Sequence, residues 1–519
     1  MNALIVLFAG RLSKEAFEPV FDGKNSLFTA VEQAQRFPGA AKTVIFAEKG
    51  DYSLPAGVQI EQREVWTKRS LLEKLSELSN NYEITYFAFA DCPFLDPALA
   101  GAIAERHIRY AAEYSYADGW PYGLAPETLS PGTAGILAKI LGGDDGAVER
   151  DVLFSVIQKD INAFDIEAEI SSVDLRCHRI NFCADSKRNL TLIKNFLAAQ
   201  GGKIPAASAI ERVVAQQPEI LRTLPAFYPV QVFGGCPQKC AVCPYPQVTN
   251  AIERKDFMES GKFETLLDKI ASFSGDAVID LSLWGEFSLH PEKLKLIDAV
   301  LSREGLSLVI ETSGLGWNTE ELEKCAALVS RNASSVKKPI APLSWIVSLD
   351  TADPQKYTEL RGAGFAQAEE CAKKLLSLFP NDCYVQAVRV KDSEEDTEKF
   401  YRYWKENAPN GEKNIIIQKY DDFCGMLEKK QASDISPVIR QPCWHIMRDL
   451  PVLIDGTVPL CREDTSALKN KENKRILGNV FTDSLESIWQ NGEKYYIEQC
   501  KKNYTELCAG CDEYYTYNF

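Results

Sequence analysis

Six short apolar runs recur between Tyr228 and Tyr420: Tyr228 to Phe233, Ala277 to Leu283, Ser307 to Thr312, Trp345 to Leu349, Tyr384 to Val390 and Asn414 to Gln418. Helical patterns separate them, at Phe263 to Phe273, Pro291 to Ser302, Thr319 to Ser330, Ala366 to Leu378 and Asp396 to Asn407. Largely apolar strands joined by helices need both faces covered, which is the condition of a parallel sheet. Repeated β-α units of this kind close wholly or partly into a barrel whose strand C-termini carry the chemistry. The loop after the first run reads Phe233-Gly-Gly-Cys-Pro-Gln-Lys-Cys-Ala-Val-Cys-Pro244. Its thiols, Cys236, Cys240 and Cys243, have C-x3-C-x2-C spacing. Three soft ligands on one short loop suit an iron–sulfur cluster. A cubane with four irons and three protein ligands keeps one iron open to an external molecule, which points to catalysis.

The remaining cysteines divide by context. The chain has 15. Cys92, Cys177, Cys183, Cys325, Cys371, Cys383 and Cys424 sit in apolar or helical surroundings and read as small buried side chains; Cys500 reads as structural. Cys443, Cys461, Cys508 and Cys511 form a second group, in the C-terminal tail. With no basic segment before the apolar Ala3 to Gly10, a buried first strand is expected there rather than a signal peptide. The expected compartment is the reducing cytoplasm, where thiols bind metals rather than pair. No apolar run is long enough to span a bilayer. The net charge of −15 argues against a partner rich in phosphate such as nucleic acid. The basic run Lys469 to Arg475 reads as a solvated loop.

The expected architecture is α/β throughout. Residues 1–200 form a doubly wound domain, with strands at Ala3 to Phe8, Thr43 to Ala47 and Ile84 to Ala90 and helices at Ser26 to Arg36, Ser70 to Leu78 and Pro97 to Ala112. Residues 201–225, with Gly-Gly and three prolines, read as a linker with one helix, Ser208 to Gln216. Residues 226–430 form a partial (β/α)6 barrel, and residues 431–519 a small Cys-rich α+β extension. In the first domain, the strand ending on Asp91 and the Pro-containing helix start after it resemble nucleotidyltransferase-like (GT-A) domains. That resemblance implies a divalent metal on Asp91. The loop Phe8-Ala-Gly-Arg-Leu-Ser-Lys14 lacks the family's Gly-rich repetition, so the domain is expected to be related in fold and degenerate in activity. A helix N-cap or turn role for Asp91 is the plain alternative.

The barrel resembles the radical S-adenosylmethionine (SAM) superfamily, which places C-x3-C-x2-C after its first strand. The resemblance implies a 4Fe–4S cluster on Cys236, Cys240 and Cys243, with SAM on the open iron. Gly285-Glu286 matches the end of the family's Gly-Gly-Glu motif, which holds the SAM amino group, and Trp284 replaces its first Gly. Val242 stands where the family has an aromatic residue, and Tyr245 is the candidate ring near adenine. Thr312 and Ser313 end the third strand; Ser348 and Asp350 are candidates for ribose or substrate. For the three hydroxyls a turn or helix cap is the alternative. Arg389, read as pointing inward, is assigned to a carboxylate of SAM or substrate, or to an internal salt bridge. The run Ile346 to Thr351 and Tyr357-Thr-Glu-Leu-Arg-Gly362 resembles peptide-modifying members.

In the tail, Asp455-Gly456 between Val452 to Asp455 and Val458 to Cys461 signals a hairpin. Leu477-Gly-Asn-Val480 and the helix Ser484 to Trp489 follow. With Gly456 five residues before Cys461 and with Cys508-Ala-Gly-Cys511, this resembles the SPASM/twitch extension. The resemblance implies one auxiliary 4Fe–4S cluster on Cys443, Cys461, Cys508 and Cys511; four-thiol zinc is the alternative that spacing permits. The whole arrangement resembles the spiro-SPASM proteins. It implies an enzyme that takes one electron from an external reductant, cleaves SAM to a 5′-deoxyadenosyl radical, and oxidises a peptide or a small alcohol or sugar. Glu463 and Asp464, just after Cys461, are the candidate bases. The rival reading is a metal-stabilised binding protein with an active N-terminal nucleotidyltransferase domain.

Overall fold

The computed structural model describes residues 1–332, 340–469 and 474–516. The chain divides into two compact units, Met1–Thr223 and Leu224–Phe519. Among the described residues, no helix is long and apolar enough to cross a membrane.

The first unit holds a seven-stranded sheet. Its strands are β1 (Ala3–Ala9), β2 (Ala40–Glu48), β3 (Val58–Arg63), β4 (Ile84–Phe89), β5 (Tyr114–Asp118), β6 (Glu127–Leu129) and β7 (Ile166–Ile170). Their order is β3-β2-β1-β4-β6-β5-β7, and β6 runs antiparallel to both neighbours. Every residue of β1 is buried, as a central strand covered on both faces requires. Asp91, just past β4, caps no helix. The N-cap of the helix Pro97–Arg109 is Asp96, whose side chain accepts from the Ala98 and Leu99 N–H groups. Both Asp91 oxygens accept from the Arg150 guanidinium, at 2.9 and 2.6 Å, and the same guanidinium reaches Asp185 at 2.9 Å. A fixed cation thus stands against the acid to which the resemblance assigns a metal. Cys92 and Cys183 are buried, with their sulfurs 3.2 Å apart.

The second unit is built on six strands in chain order: β8 (Phe227–Pro229), β9 (Ala277–Asp280), β10 (Leu306–Thr312), β11 (Leu343–Ser348), β12 (Cys383–Arg389) and β13 (Ile415–Lys419). All neighbours pair parallel, giving a partial barrel. Helices such as Ser260–Ser274, Lys293–Leu301 and Phe365–Leu378 connect them. β8 is shorter than its apolar run. After Pro229 the backbone divides its partners: Val230 N–H donates to Asp280 O (2.7 Å) and Gln231 N–H to Val452 O (2.8 Å).

The tail follows that edge. Leu450 N–H donates to Phe227 O (2.9 Å) and Val452 N–H to Pro229 O (2.8 Å), so the segment covers the exposed side of β8. The expected hairpin is therefore corrected. Asp455-Gly456 does turn the chain, with Gly456 at φ +84° and Leu453 N–H bonded to Thr457 O (2.9 Å). The arms do not form a ladder, because Val452 is already paired with Val230. Strand β14 (Thr457–Pro459) pairs antiparallel with β15 (Ile476–Asn479) instead. The helix expected over 484–489 runs Leu485–Cys500. Of the basic run 469–475, residues 470–473 lie outside the described residues; Arg475 pairs with Asp464.

Candidate active site

A cavity of about 260 Å³ opens at the C-terminal ends of the barrel strands. Cys236, Cys240 and Cys243 line it, together with Tyr245, Gly285, Glu286, Thr312, Ser313, Ser348 and Glu463. The thiol loop is held by backbone bonds: Cys236 N–H to Ala251 O (2.9 Å) and Ala241 N–H to Leu360 O (2.8 Å). Burial pushes the Cys236 and Cys243 thiols up to about 12. Burial also raises Cys240, opposed by the nearby Arg361 guanidinium. A metal that takes these thiols as thiolates must therefore displace their protons.

The loop after β9 explains how Trp284 replaces a glycine. Trp284 adopts φ +47°, a left-handed conformation that costs a bulky residue about 1–2 kcal/mol. Its ring is held by stacking on Tyr245, with centroids 5.8 Å apart, and by Phe423 at 5.7 Å. Its carbonyl accepts from Gln231 Nε2 at 2.7 Å. Gly285 has no such latitude: at φ +144°, an added Cβ would lie 2.0 Å from the Phe233 carbonyl oxygen. Glu286 is buried and accepts four bonds. They come from Thr312 Oγ1 (2.6 Å), Ser288 N–H (3.2 Å), Ser313 N–H (2.8 Å) and Ser313 Oγ (2.6 Å). Thr312 and Ser313 thus line the cavity while orienting Glu286. Ser348 Oγ donates to Glu311 Oε1 at 2.5 Å, and Gln386 Nε2 donates to the same oxygen at 2.8 Å.

Three expected positions differ. Asp350 does not line the cavity; it accepts from Arg361 Nη1 (2.6 Å) and Val388 N–H (2.9 Å). Arg389 points outward rather than in. It is exposed at the end of β12 and pairs with Glu394 at 2.6 Å. Asp464 is buried but turned from the cavity, paired with Arg475 at 2.8 Å. Glu463 has the opposite outcome, since it lines the cavity and is 2% exposed.

A second pocket lies beside the first. Cys443, Cys461, Cys508 and Cys511 line it, and Glu463 lines both. Cys424 lines it too, against its reading as an ordinary buried cysteine. Cys500 does not line it.

Comparison with known proteins decides the family. Residues 230–403 match the family model described as the Radical SAM superfamily. Residues 443–512 match that of the SPASM iron–sulfur cluster-binding domain. The chain belongs to the radical SAM superfamily. An uncharacterized protein of Treponema pallidum (strain Nichols) is 34% identical over 377 residues, spanning 71% of this chain and 98% of that protein. The solved structure of Streptococcus suis SuiB bound to precursor peptide SuiA is 15% identical, with TM-score 0.40, covering 65% of this chain and 78% of that one. A cytidylyltransferase of Leptospira borgpetersenii serovar Hardjo-bovis (strain JB197) is 14% identical, with TM-score 0.36, covering 43% of this chain and 97% of that one.

The cofactors of this radical SAM enzyme are a 4Fe–4S cluster, S-adenosylmethionine and an auxiliary iron–sulfur cluster. The donor sets fit them. Cys236, Cys240 and Cys243 line the one cavity and Cys443, Cys461, Cys508 and Cys511 the other pocket, soft thiol donors of the kind iron–sulfur clusters take.

Several further cavity residues were not among the candidates. Arg361 is buried beside Cys240, donating to Asp350 and to Gln238 Oε1 (3.2 Å). Asp421, next to Glu463, is pushed up to about 9 by burial and then by that neighbour's charge. Asp280 is pushed up to about 6 by burial. Periodicity would have placed Asp280 at a strand end; Arg361 falls in the run 357–362 that resembles peptide-modifying members, where no role was assigned to it, and nothing local marks Asp421.

Proposed function

We propose that this radical SAM enzyme oxidises a peptide or a small alcohol or sugar by two electrons. In this reading Cys236, Cys240 and Cys243 hold the SAM-binding cluster, and Cys443, Cys461, Cys508 and Cys511 hold the auxiliary one. When bound, the first cluster with SAM supplies a hydrogen-abstracting carbon radical after reduction by an external one-electron donor, and the second supplies an electron acceptor. Barrel chemistry then resides in residues 226–430 and the acceptor in residues 431–519. Residues 1–200 form a domain of nucleotidyltransferase-like fold, with 201–225 as the linker. Free thiols on this scale suit a reducing compartment such as the cytoplasm.

The chain's own groups have defined tasks. Gly285 lets the backbone pass under the Phe233 carbonyl, and Glu286, oriented by Thr312 and Ser313, receives the SAM amino group. Tyr245 backs the Trp284 ring at the adenine side, and Ser348 faces ribose or substrate. Glu463 Oε2 accepts the proton lost as the substrate gives up its second electron. Glu463 Oε1 accepts from Arg462 Nε at 3.0 Å, which leaves Oε2 as the oxygen assigned to the substrate proton. The observation that carries the reading is Glu463 itself, which lines the thiol-loop cavity and the second thiol pocket at once.

The test is anaerobic reconstitution with iron and sulfide, followed by SAM and dithionite. 5′-Deoxyadenosine should form with the native chain and not with Cys236→Ala. Equal yields from both chains would overturn the assignment of the loop.

A further inference from the structure

We propose that the substrate carries a protonated primary amine, and that Asp280 and Glu311 hold its ammonium group in the first cavity. This names the substrate class of the oxidation proposed above and rests on that reading. Strand register supplies the geometry. Phe227, Val278, Val309 and Ile346 form one buried apolar cluster, with Tyr384 and Ile416 packed against it. Side chains two residues apart on a strand share a face. The next residues on that face, toward the strand C-termini, are Asp280, Glu311, Ser348, Gln386 and Gln418, one from each of β9 to β13. All five line the cavity. An apolar layer therefore gives way to a polar ring of two carboxylates, a hydroxyl and two amides, with no cation in it.

One serine places both carboxylates. Ser282 N–H donates to Asp280 Oδ1 (3.0 Å), and Ser282 Oγ accepts from Glu311 N–H (2.7 Å). Asp280 is paired in register with Val309, two residues before Glu311 on the adjacent parallel strand. Ser348 Oγ and Gln386 Nε2 both donate to Glu311 Oε1, which leaves Oε2 for a ligand. Asp280 is 8% exposed. Burial pushes its carboxyl up; the bonds from Ser282 and the charge of Arg462 oppose the rise, and the charge of Glu311 adds to it. Keeping both groups ionised thus costs the fold stability unless a cation joins them. The cations that line the cavity each pair with another carboxylate: Arg361 with Asp350 (2.6 Å), Lys419 with Asp512 (2.8 Å) and Arg462 with Glu463 (3.0 Å). The SAM amino group is assigned to Glu286. A substrate ammonium supplies the missing charge, with three donors for the acceptors of the ring.

The experiment is anaerobic calorimetry on the full chain, reconstituted with iron and sulfide and loaded with SAM. The probes are glucosamine and the peptide N-acetyl-Ala-Lys-Ala-amide. Each is compared with a neutral counterpart, glucose or the same peptide with norleucine in place of lysine. One amine probe should bind tighter than its counterpart by about tenfold or more. Which of the two does so tells a small amine from a peptide side chain as the source. Asp280→Asn and Glu311→Gln should each remove that preference and leave the affinity of the neutral probe within about twofold. Equal affinity for amine and neutral probes, no binding by either amine, or a preference that survives both substitutions would overturn the proposal. 5′-Deoxyadenosine formed by the same native preparation with dithionite reads the underlying assignment separately. Its absence overturns the reading of the cavity as the site of SAM cleavage; its presence without an amine preference overturns the substrate class alone.

Discussion

Charge placement at single residues sets much of this cavity's behaviour. Asp280 ends β9 buried, its carboxyl pushed up to about 6 by burial. The unfolded chain releases that proton near pH 3.9, so the native state binds it more tightly, by about 2 pK units. The stability linked to Asp280 is therefore fully present below about pH 4 and is lost as pH rises through about 6, by about 2–3 kcal/mol. Asp280→Asn keeps an acceptor for Ser282 N–H, now at 3.0 Å, and removes the charge. Its denaturation midpoint should exceed that of the native chain near pH 7 and match it near pH 4; equal midpoints at both would remove the burial argument. Other residues were legible without coordinates. Cys236, Cys240 and Cys243 are marked by their spacing, Gly285 and Glu286 by their resemblance to the family's Gly-Gly-Glu motif, and all line one cavity. Arg389 was misread because strand alternation says nothing reliable at a strand's last residue, where the side chain clears the sheet and finds Glu394 in solvent.

At the scale of elements, the six parallel strands follow directly from the apolar periodicity, whereas the tail hairpin does not. A Gly turn specifies that the chain reverses. It does not specify which strand its arms then join, and here β8 offers an open edge that captures Val452. This pairing is what seats the second thiol pocket beside the first. Val452→Pro removes the N–H bonded to Pro229 O and should loosen the tail from the barrel edge. The expected outcome is iron content falling by about half after reconstitution, with the barrel's own cluster retained. Full iron content in that variant would show that the edge pairing is dispensable. In the first unit, the same periodicity identifies β1, β2 and β4, but Arg150 on Asp91 was hidden, since the pair is separated by 59 residues.

For the whole molecule, the decisive relation is the adjacency of the two thiol pockets through Glu463. If the auxiliary centre serves only the later electron, Cys461→Ala should keep reductive SAM cleavage, read as 5′-deoxyadenosine formed with dithionite, while iron content falls by about half. Loss of SAM cleavage in that variant would instead make the second centre part of the first step. By itself the sequence determined the α/β class, the succession of six strands and two thiol sets, because periodicity and ligand spacing are legible along the chain; the iron–sulfur chemistry of the second set came from the family resemblance, since spacing alone also permits zinc. Only the tertiary structure decided that Glu463 faces the cavity while Asp464 turns to Arg475, that Arg361 stands beside Cys240, and that Cys424 joins the second pocket. Each of these depends on contacts between distant segments, whose geometry is set by packing rather than by any local pattern.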